Sequence, residues 1–386
     1  MSLRERVQKE LKERRDRLLN GEINSIPTPF QRFKDDFIGI EQGTYFCITS
    51  FTKGGKSQFT SFVFIYKALL YAYYSKSNEK VTILYFPLEE TPERIMQRFI
   101  SYLLYDYTKG QIRISPRDLR SSTNDKPCPQ EVLDLLEDDS IKDILDYFES
   151  NIIFYNVGNP TGIYKACKQY AEENGAVITK KTKYKDEFGV IQEVDGFDRY
   201  IPNNPNEYKL IIIDTINLID TEKGMTLKQS MDKLSEYLAK YLRNRYNFSP
   251  VVIQQQAFES EGLDAFKANK VRPSVAGLGD SKYSSRDANV VLGLFSPYRF
   301  GLTEYMGYDI TKLKDNIRFL EVIVNRDGEM GGILPLYFDG AVCYFKELPP
   351  PNDTKSINAV YSTLNKFRSV LFTILSKTIK KLKKDD

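Results

Sequence analysis

The chain has 386 residues, 41% hydrophobic and 28% charged, which suits one large α/β domain with extensions or two domains. Its formal net charge of +3 is too small to point to nucleic acid by itself, so any basic patch must be local. Histidine is absent, which excludes Ser-His-Asp and Cys-His mechanisms and leaves a carboxylate or another non-imidazole group as general base.

In chain order, residues 3 to 19 carry Leu3, Val7, Leu11 and Leu18 along one helical face. Ser2 with Glu5 reads as a capping box and Asn20-Gly21 as a stop. The segment is charged throughout, without the apolar centre of a signal peptide. Residues 1–25 are therefore expected to form a linker helix whose thin apolar stripe docks on something, such as a neighbouring subunit. Asn24 to Phe37 reads as a Pro-punctuated linker.

The stretch Tyr45 to Phe64, YFCITSFTKGGKSQFTSFVF, organises the rest. An apolar strand breaks into a Gly-bearing loop, then Lys56-Ser57, then a mainly apolar segment of helical length, which is the layout of a phosphate-binding loop. Backbone N–H groups curl around phosphate oxygens, and only Gly lets the main chain approach that closely. The helix start adds partial positive charge. Ser50, Thr52, Lys53, Gly54, Gly55, Lys56, Ser57 and Gln58 are the expected nucleotide-binding residues, although Ser50 stands where GxxxxGK[ST] has its first Gly. Lys56 is expected to reach the β- and γ-phosphates, and Ser57 to hold Mg²⁺.

Val81 to Phe86 (VTILYF) has the continuous apolar character of a buried parallel strand. Pro87–Leu88–Glu89–Glu90 follows, and Thr91-Pro92 starts a helix with Ile95, Met96, Phe99, Ile100 and Leu103 facing inward. Residues 106 to 150 read as polar and helical, Asn151 to Tyr155 as a strand, and Thr161 to Glu173 as a helix. Ile178 to Pro205 interrupts the βα alternation as a polar insertion, with a hairpin centred on Asp186–Gly189. Leu210 to Ile213 runs into Asp214, an acid at a strand's carboxyl end where a nucleotide fold keeps its Mg²⁺-associated carboxylate. Leu227, Met231, Leu234, Leu238 and Tyr241 mark a long amphipathic helix. Pro250 to Gln254 is a strand running into Gln255 and Gln256. Ala257 to Arg286 is polar, rich in Gly and Lys, carries Lys267, Lys270, Arg272 and Lys282, and reads as a mobile functional loop. Asn289 to Phe295, Arg318 to Val324, Ile333 to Phe338 and Val342 to Phe345 read as strands, the later ones antiparallel at the sheet edge. Residues 351–386 form a basic tail, helical from Tyr361, that suits nucleic acid, a membrane surface or a partner.

This order of pieces resembles the C-terminal ATPase domain of DnaB-type replicative helicases, from about Ile26 to Phe345. IPTPFQRFKDDFIGIEQGTYFCITS is similar to the segment leading into that family's phosphate loop, whose first position is commonly a small residue other than Gly. ILYFPLEETPERIMQRF, LIIIDTINLI, PVVIQQQ, RPSVAGLGDSKYSSRDANVVLGL and EVIVNRDGEMGG are similar to its successive motifs. Glu89 lies well before Asp214, and Thr215 follows Asp214, which is the RecA-like rather than the AAA+ arrangement of acids.

The resemblance implies an α/β RecA-like P-loop NTPase over residues 26–350, with a mainly parallel central sheet flanked by helices, antiparallel edge strands near the C-terminus and the insertion at 178–205. It further implies an ATP- and Mg²⁺-dependent hexameric replicative DNA helicase translocating on single-stranded DNA, with primase or a loader as replication partners. Lys56 and Ser57 would grip phosphate and Mg²⁺, and Asp214 would hold the ion. Glu89 would activate water, with Glu90 its rival. Gln256 would sense the γ-phosphate, with Gln254 and Gln255 as competitors, Arg326 would serve as a trans-acting finger, and Lys267, Lys270, Arg272 and Lys282 would contact the phosphates of single-stranded DNA. The alternative is a RecA-like DNA-binding ATPase, a recombinase or regulatory ring, without processive unwinding. Three departures from the family stand out. Val324 replaces a Lys two residues before the finger, which bears on trans activation. Asn289 stands where a second Asp is usual. Only about 25 residues precede the core, so the primase-binding N-terminal domain is expected to be missing. Scattered cysteines (Cys47, Cys128, Cys167, Cys343) and no apolar run of ~18 residues suggest a cytoplasmic protein without membrane contact, in a host cytoplasm if the source is viral.

Overall fold

Strands that are apolar at every position must be covered on both faces, and the computed structural model covers them. It describes residues 2–75, 78–185, 187–257, 272–279 and 281–364. Numbering only the strands of the central sheet, these are β1 (Phe46–Ser50), β2 (Lys80–Pro87), β3 (Ile152–Phe154), β4 (Glu207–Asp214), β5 (Ser249–Gln255), β6 (Val290–Phe295), β7 (Ile317–Asn325), β8 (Ile333–Asp339) and β9 (Tyr344–Glu347). Their order is β9-β8-β7-β6-β1-β5-β4-β2-β3. From β6 to β3 every pairing is parallel; β7, β8 and β9 are antiparallel. This is the RecA-like α/β arrangement that the sequence implies.

Alternation along β4 shows how the two layers form. Leu210 and Ile212 point into a core shared with Phe59, Phe62 and Tyr66 of the helical run after the phosphate loop, and with Phe99 and Phe148. Ile211 and Ile213 point the other way, toward Ile163, Met231, Leu234 and Leu238. Every residue of β4 is buried. The parallel strands end together: Ser50 lies opposite Gln255, and Pro87 opposite Asp214. That shared carboxyl edge is where ligands bind in open α/β sheets.

Two sequence readings change. Asn24 to Phe37 is not a solvated linker. Ser25–Pro27 pairs antiparallel with Gly39–Glu41, and Phe30, Phe33 and Phe37 are buried in the main core. Burying each such ring is worth on the order of 1.5–3 kcal/mol, more than a linker needs. Gly39 at φ +118 permits the return, because a Cβ there would sit 2.0 Å from the Ile26 carbonyl oxygen. The last strand begins at Tyr344 rather than Val342, since Cys343 takes φ +53 in the turn that reverses the chain after β8.

The Leu3–Leu19 helix keeps its capping box but buries none of its residues. Its Leu3, Val7, Leu11 and Leu18 lie exposed, while an Arg14–Glu41 ion pair and the Asn24 amide on the Arg14 carbonyl (2.9 Å) anchor its far end. Gly175–Lys185 and Ile191–Pro202 form a separate antiparallel hairpin, laced on its surface by Lys183–Glu193 (3.2 Å) and Lys180–Asp198 (3.4 Å). At its base the buried Lys209 ammonium donates to the Tyr246 carbonyl (3.0 Å) and lies over the Tyr200 ring. Residues 354–364 are helical and pack Ile357, Tyr361 and Leu364 against Phe295 and Phe319. Among the described residues no helix is long and apolar enough to cross a membrane.

Candidate active site

The phosphate loop leaves β1 at Ser50 and enters a helix at Lys56. Ser50 is fully buried, and its hydroxyl donates to the Phe51 carbonyl at 2.9 Å. A Cβ on Gly54 would lie 2.3 Å from that hydroxyl and 2.9 Å from the Phe51 carbonyl, so the loop closes over a Ser at its first position only because Gly54 lacks a side chain. Gly55 takes φ +98 just before the helix. Phe51 turns inward onto Phe300, with ring centroids 5.3 Å apart, and leaves Thr52 and Lys53 exposed at the crest. Gln58 turns its amide away, to the Gly340 carbonyl at 3.1 Å.

The Ser57 hydroxyl donates to Asp214 at 3.0 Å, and the Tyr85 hydroxyl donates to the other carboxylate oxygen at 3.3 Å. Asp214 is 5% exposed, and burial pushes its carboxyl up to about 6. The Ser57 bond and the Arg98 guanidinium oppose that rise, while Glu89 and Glu90 reinforce it. A Ser hydroxyl beside an Asp carboxylate is a hard-oxygen pair that fits Mg²⁺ carried on phosphates. Among the described residues there is no cluster of three acidic or sulfur ligands, so most of such an ion's coordination would come from nucleotide and water. Only the ionised carboxylate binds a cation. With a value near 6, Asp214 is mostly protonated at pH 5 and mostly ionised at pH 7. Mg²⁺-dependent nucleotide affinity should therefore fall about tenfold between pH 7 and pH 5, with Mg²⁺-free affinity changing less; titration with a fluorescent nucleotide at both pH values checks this.

Leu88 donates its N–H to the Asp214 carbonyl at 3.1 Å, which holds the Leu88–Glu89 arm against the end of β4. Glu89 is exposed there, whereas Glu90 pairs with the largely buried Arg98. The three glutamines separate. Gln254 is buried on the Ser281 carbonyl (2.6 Å), and Gln255 reaches the Thr52 hydroxyl on the loop. Gln256, 1% exposed, bonds the Thr49 hydroxyl at 2.9 Å and both polar backbone groups of Ser274.

Arg326 lies elsewhere. Leu294 of β6 pairs with Ser50 at the loop end, but Val290 at the opposite end pairs with Asn325. Arg326 is thus exposed at the edge of the sheet away from its own phosphate loop, with its guanidinium on the Arg286 carbonyl. Of the four candidate DNA contacts, Lys267 and Lys270 lie outside the described residues. Lys282 is exposed ahead of the Tyr283–Asp287 helix, and Arg272 pairs with Glu321 at 3.5 Å. Asn289 accepts from the Tyr45 N–H (3.0 Å) and from Arg243 (2.8 Å), work that a single amide oxygen performs without adding charge.

Sequence reasoning missed three residues here. Tyr85 hides within an unbroken apolar run, and Asn217 accepts from the Gln255 N–H at 3.1 Å from a turn without a motif. Arg318 is buried beneath the phosphate loop, and its only signal is a cation in a mainly apolar strand, IRFLEVIV.

No protein-family model matches the sequence, and no curated protein matches it. Solved structures do. One, described as an ATPase domain, superposes with TM-score 0.63 at 14% identity, covering 90% of this chain and 99% of that one. A DnaB-like replicative helicase, solved in a study of its interactions with primase, superposes with TM-score 0.61 at 15% identity, covering 90% of this chain and 67% of that one. The chain has the fold of the RecA-like ATPase domains of DnaB-like helicases.

Proposed function

We propose that the protein is an ATP-driven DNA helicase subunit that assembles into a hexameric ring and translocates on single-stranded DNA in the cytoplasm. The observation that carries the ATPase part of this reading is the Ser57–Asp214 pair at 3.0 Å beneath a Gly54-Gly55 phosphate loop, with Glu89 beside it on the same sheet edge, while the helicase and ring parts rest on the likeness of fold to a DnaB-like replicative helicase. Lys56 grips the β- and γ-phosphates of ATP, and Ser57 and Asp214 would hold Mg²⁺, which would neutralise phosphate charge. Glu89 orients and deprotonates the water for in-line attack. Gln255 meets the loop at Thr52, and Gln256 relays its state to Ser274, which follows the segment carrying Lys267, Lys270 and Arg272. Arg326 acts on the neighbouring subunit's nucleotide. The uncovered stripe of the N-terminal helix suits docking on that neighbour, with primase or a loader as further partners.

ATP hydrolysis with and without single-stranded DNA, with the assembly's mass determined under the same conditions, tests the reading. DNA-stimulated turnover by a hexamer that also separates a forked duplex is expected. Turnover indifferent to DNA, or stimulation without strand separation, would instead mark a recombinase-like or regulatory ring. Bound nucleotide without turnover would mean the site only binds.

A further inference from the structure

Arg318 stands out as a cation with no exposed work to do. It is 1% exposed, on β7 at the end nearest the phosphate loop, and its guanidinium lies 4.4 Å over the Phe338 ring. Its donors are nearly all used. Nε donates to the Gly54 carbonyl at 2.8 Å, one terminal nitrogen donates to the Asp315 and Ile317 carbonyls at 2.8 Å each, and the other pairs with the Asp315 carboxylate at 2.9 Å. Burying a guanidinium is costly unless every contact is specific. The core here does not need a cation, since the neighbouring side chains Leu320 of β7 and Leu336 and Phe338 of β8 are apolar and buried.

The Gly54 contact gives the burial a purpose. The Gly54–Gly55 peptide is trans, so its C=O and N–H point in opposite directions. Fixing the carbonyl inward on Arg318 turns the Gly55 N–H outward, into the concavity where phosphate oxygens would sit. Gly54 and Gly55 both lack a Cβ and so have the widest backbone freedom in the loop, which would otherwise make the peptide between them the easiest to flip. We infer that Arg318 is a positioning residue for nucleotide binding: from beneath the loop it locks the Gly54–Gly55 peptide with its N–H toward the β-phosphate. This rests on the phosphate-loop reading above.

The test uses the full chain with the Arg318→Met, Arg318→Lys and Asp315→Asn variants, fluorescent ATP and ADP analogues, steady-state ATPase kinetics and thermal melting. Arg318→Met is expected to weaken ATP and ADP binding alike, by tenfold or more, with the loss in KM and less than threefold in kcat. Arg318→Lys, which can still donate to the Gly54 carbonyl, should recover part of the affinity. Asp315 is 66% exposed, so Asp315→Asn tests the clamp even if Arg318→Met fails to fold; it should raise KM by two- to threefold without shifting the melting temperature. The inference is overturned if folded Arg318→Met binds both nucleotides as the parent does, or if Asp315→Asn leaves KM unchanged while Arg318→Met is unfolded. Failure of the parent itself to bind nucleotide would instead overturn the phosphate-loop reading.

Discussion

Glu89→Gln leaves ATP bound with nearly unchanged affinity and cuts its turnover about 10²- to 10⁴-fold, the usual contribution of a positioned general base. The substitution keeps the size and hydrogen-bonding reach of the side chain but removes its ability to take a proton. The residues proposed to hold phosphate and Mg²⁺ are untouched, since Lys56, Ser57 and Asp214 belong to other elements. Glu89 is suited to the role by its tether: the Leu88 N–H on the Asp214 carbonyl keeps the arm at the metal-side acid, and Pro92 starts the next helix just beyond. Glu90→Gln is the discriminating control. It breaks the ion pair with Arg98, so it should lower the melting temperature while keeping turnover within a few-fold. Single-turnover hydrolysis and equilibrium nucleotide binding on both variants decide the assignment. If Glu89 merely favours the helix start, its loss costs a few tenths of a kcal/mol and turnover persists.

The elements legible in the sequence were those whose signal is local. VTILYF and LIIID are read as buried parallel strands because apolar residues dominate them, and the structure pairs them directly, Val81 with Tyr208 through Pro87 with Asp214. GGKS announces its loop because glycine conformation and helix start are properties of adjacent residues. What stayed hidden depends on residues far apart in the chain. Nothing near Arg318 reveals Gly54, which lies 264 positions away. The packing of Phe30, Phe33 and Phe37 was masked by Pro27 and Pro29, since prolines mark turns whether the segment is solvated or pressed on a core. In the glutamine run, only the ending of β5 decides which side chain faces the phosphate loop, and it turns Gln255 to Thr52 and Gln256 to Thr49 and Ser274.

Arg326→Ala should lose about 10³–10⁵ of ATP turnover, as removal of an arginine finger does in well-studied cases, and the loss should be repairable from a neighbour. The geometry of β7 separates the arginines at its two ends. Arg318 sits at the loop end, under its own subunit's phosphate loop, whereas Arg326 lies beyond the strand's other end, past the pairing of Asn325 with Val290. From Val290 to Leu294 alone is about 13 Å of strand, so Arg326 does not reach its own phosphate loop, and the proposed action on nucleotide would have to cross an interface. The Arg326 guanidinium donates to the Arg286 carbonyl, and burial, with the neighbouring Arg326 adding to it and Asp287 opposing, holds the Arg243 guanidinium below its usual range. Mixing tests this directly. Arg326→Ala and Glu89→Gln subunits are each inert alone, yet in a randomly mixed ring about a quarter of the interfaces join an intact Glu89 site to an intact Arg326. Partial recovery of hydrolysis on mixing is expected, with Arg326→Lys recovering little because a point charge does not reproduce the planar fork. Absence of recovery, with mixed rings demonstrated by mass, would restrict Arg326 to a structural role within its own subunit.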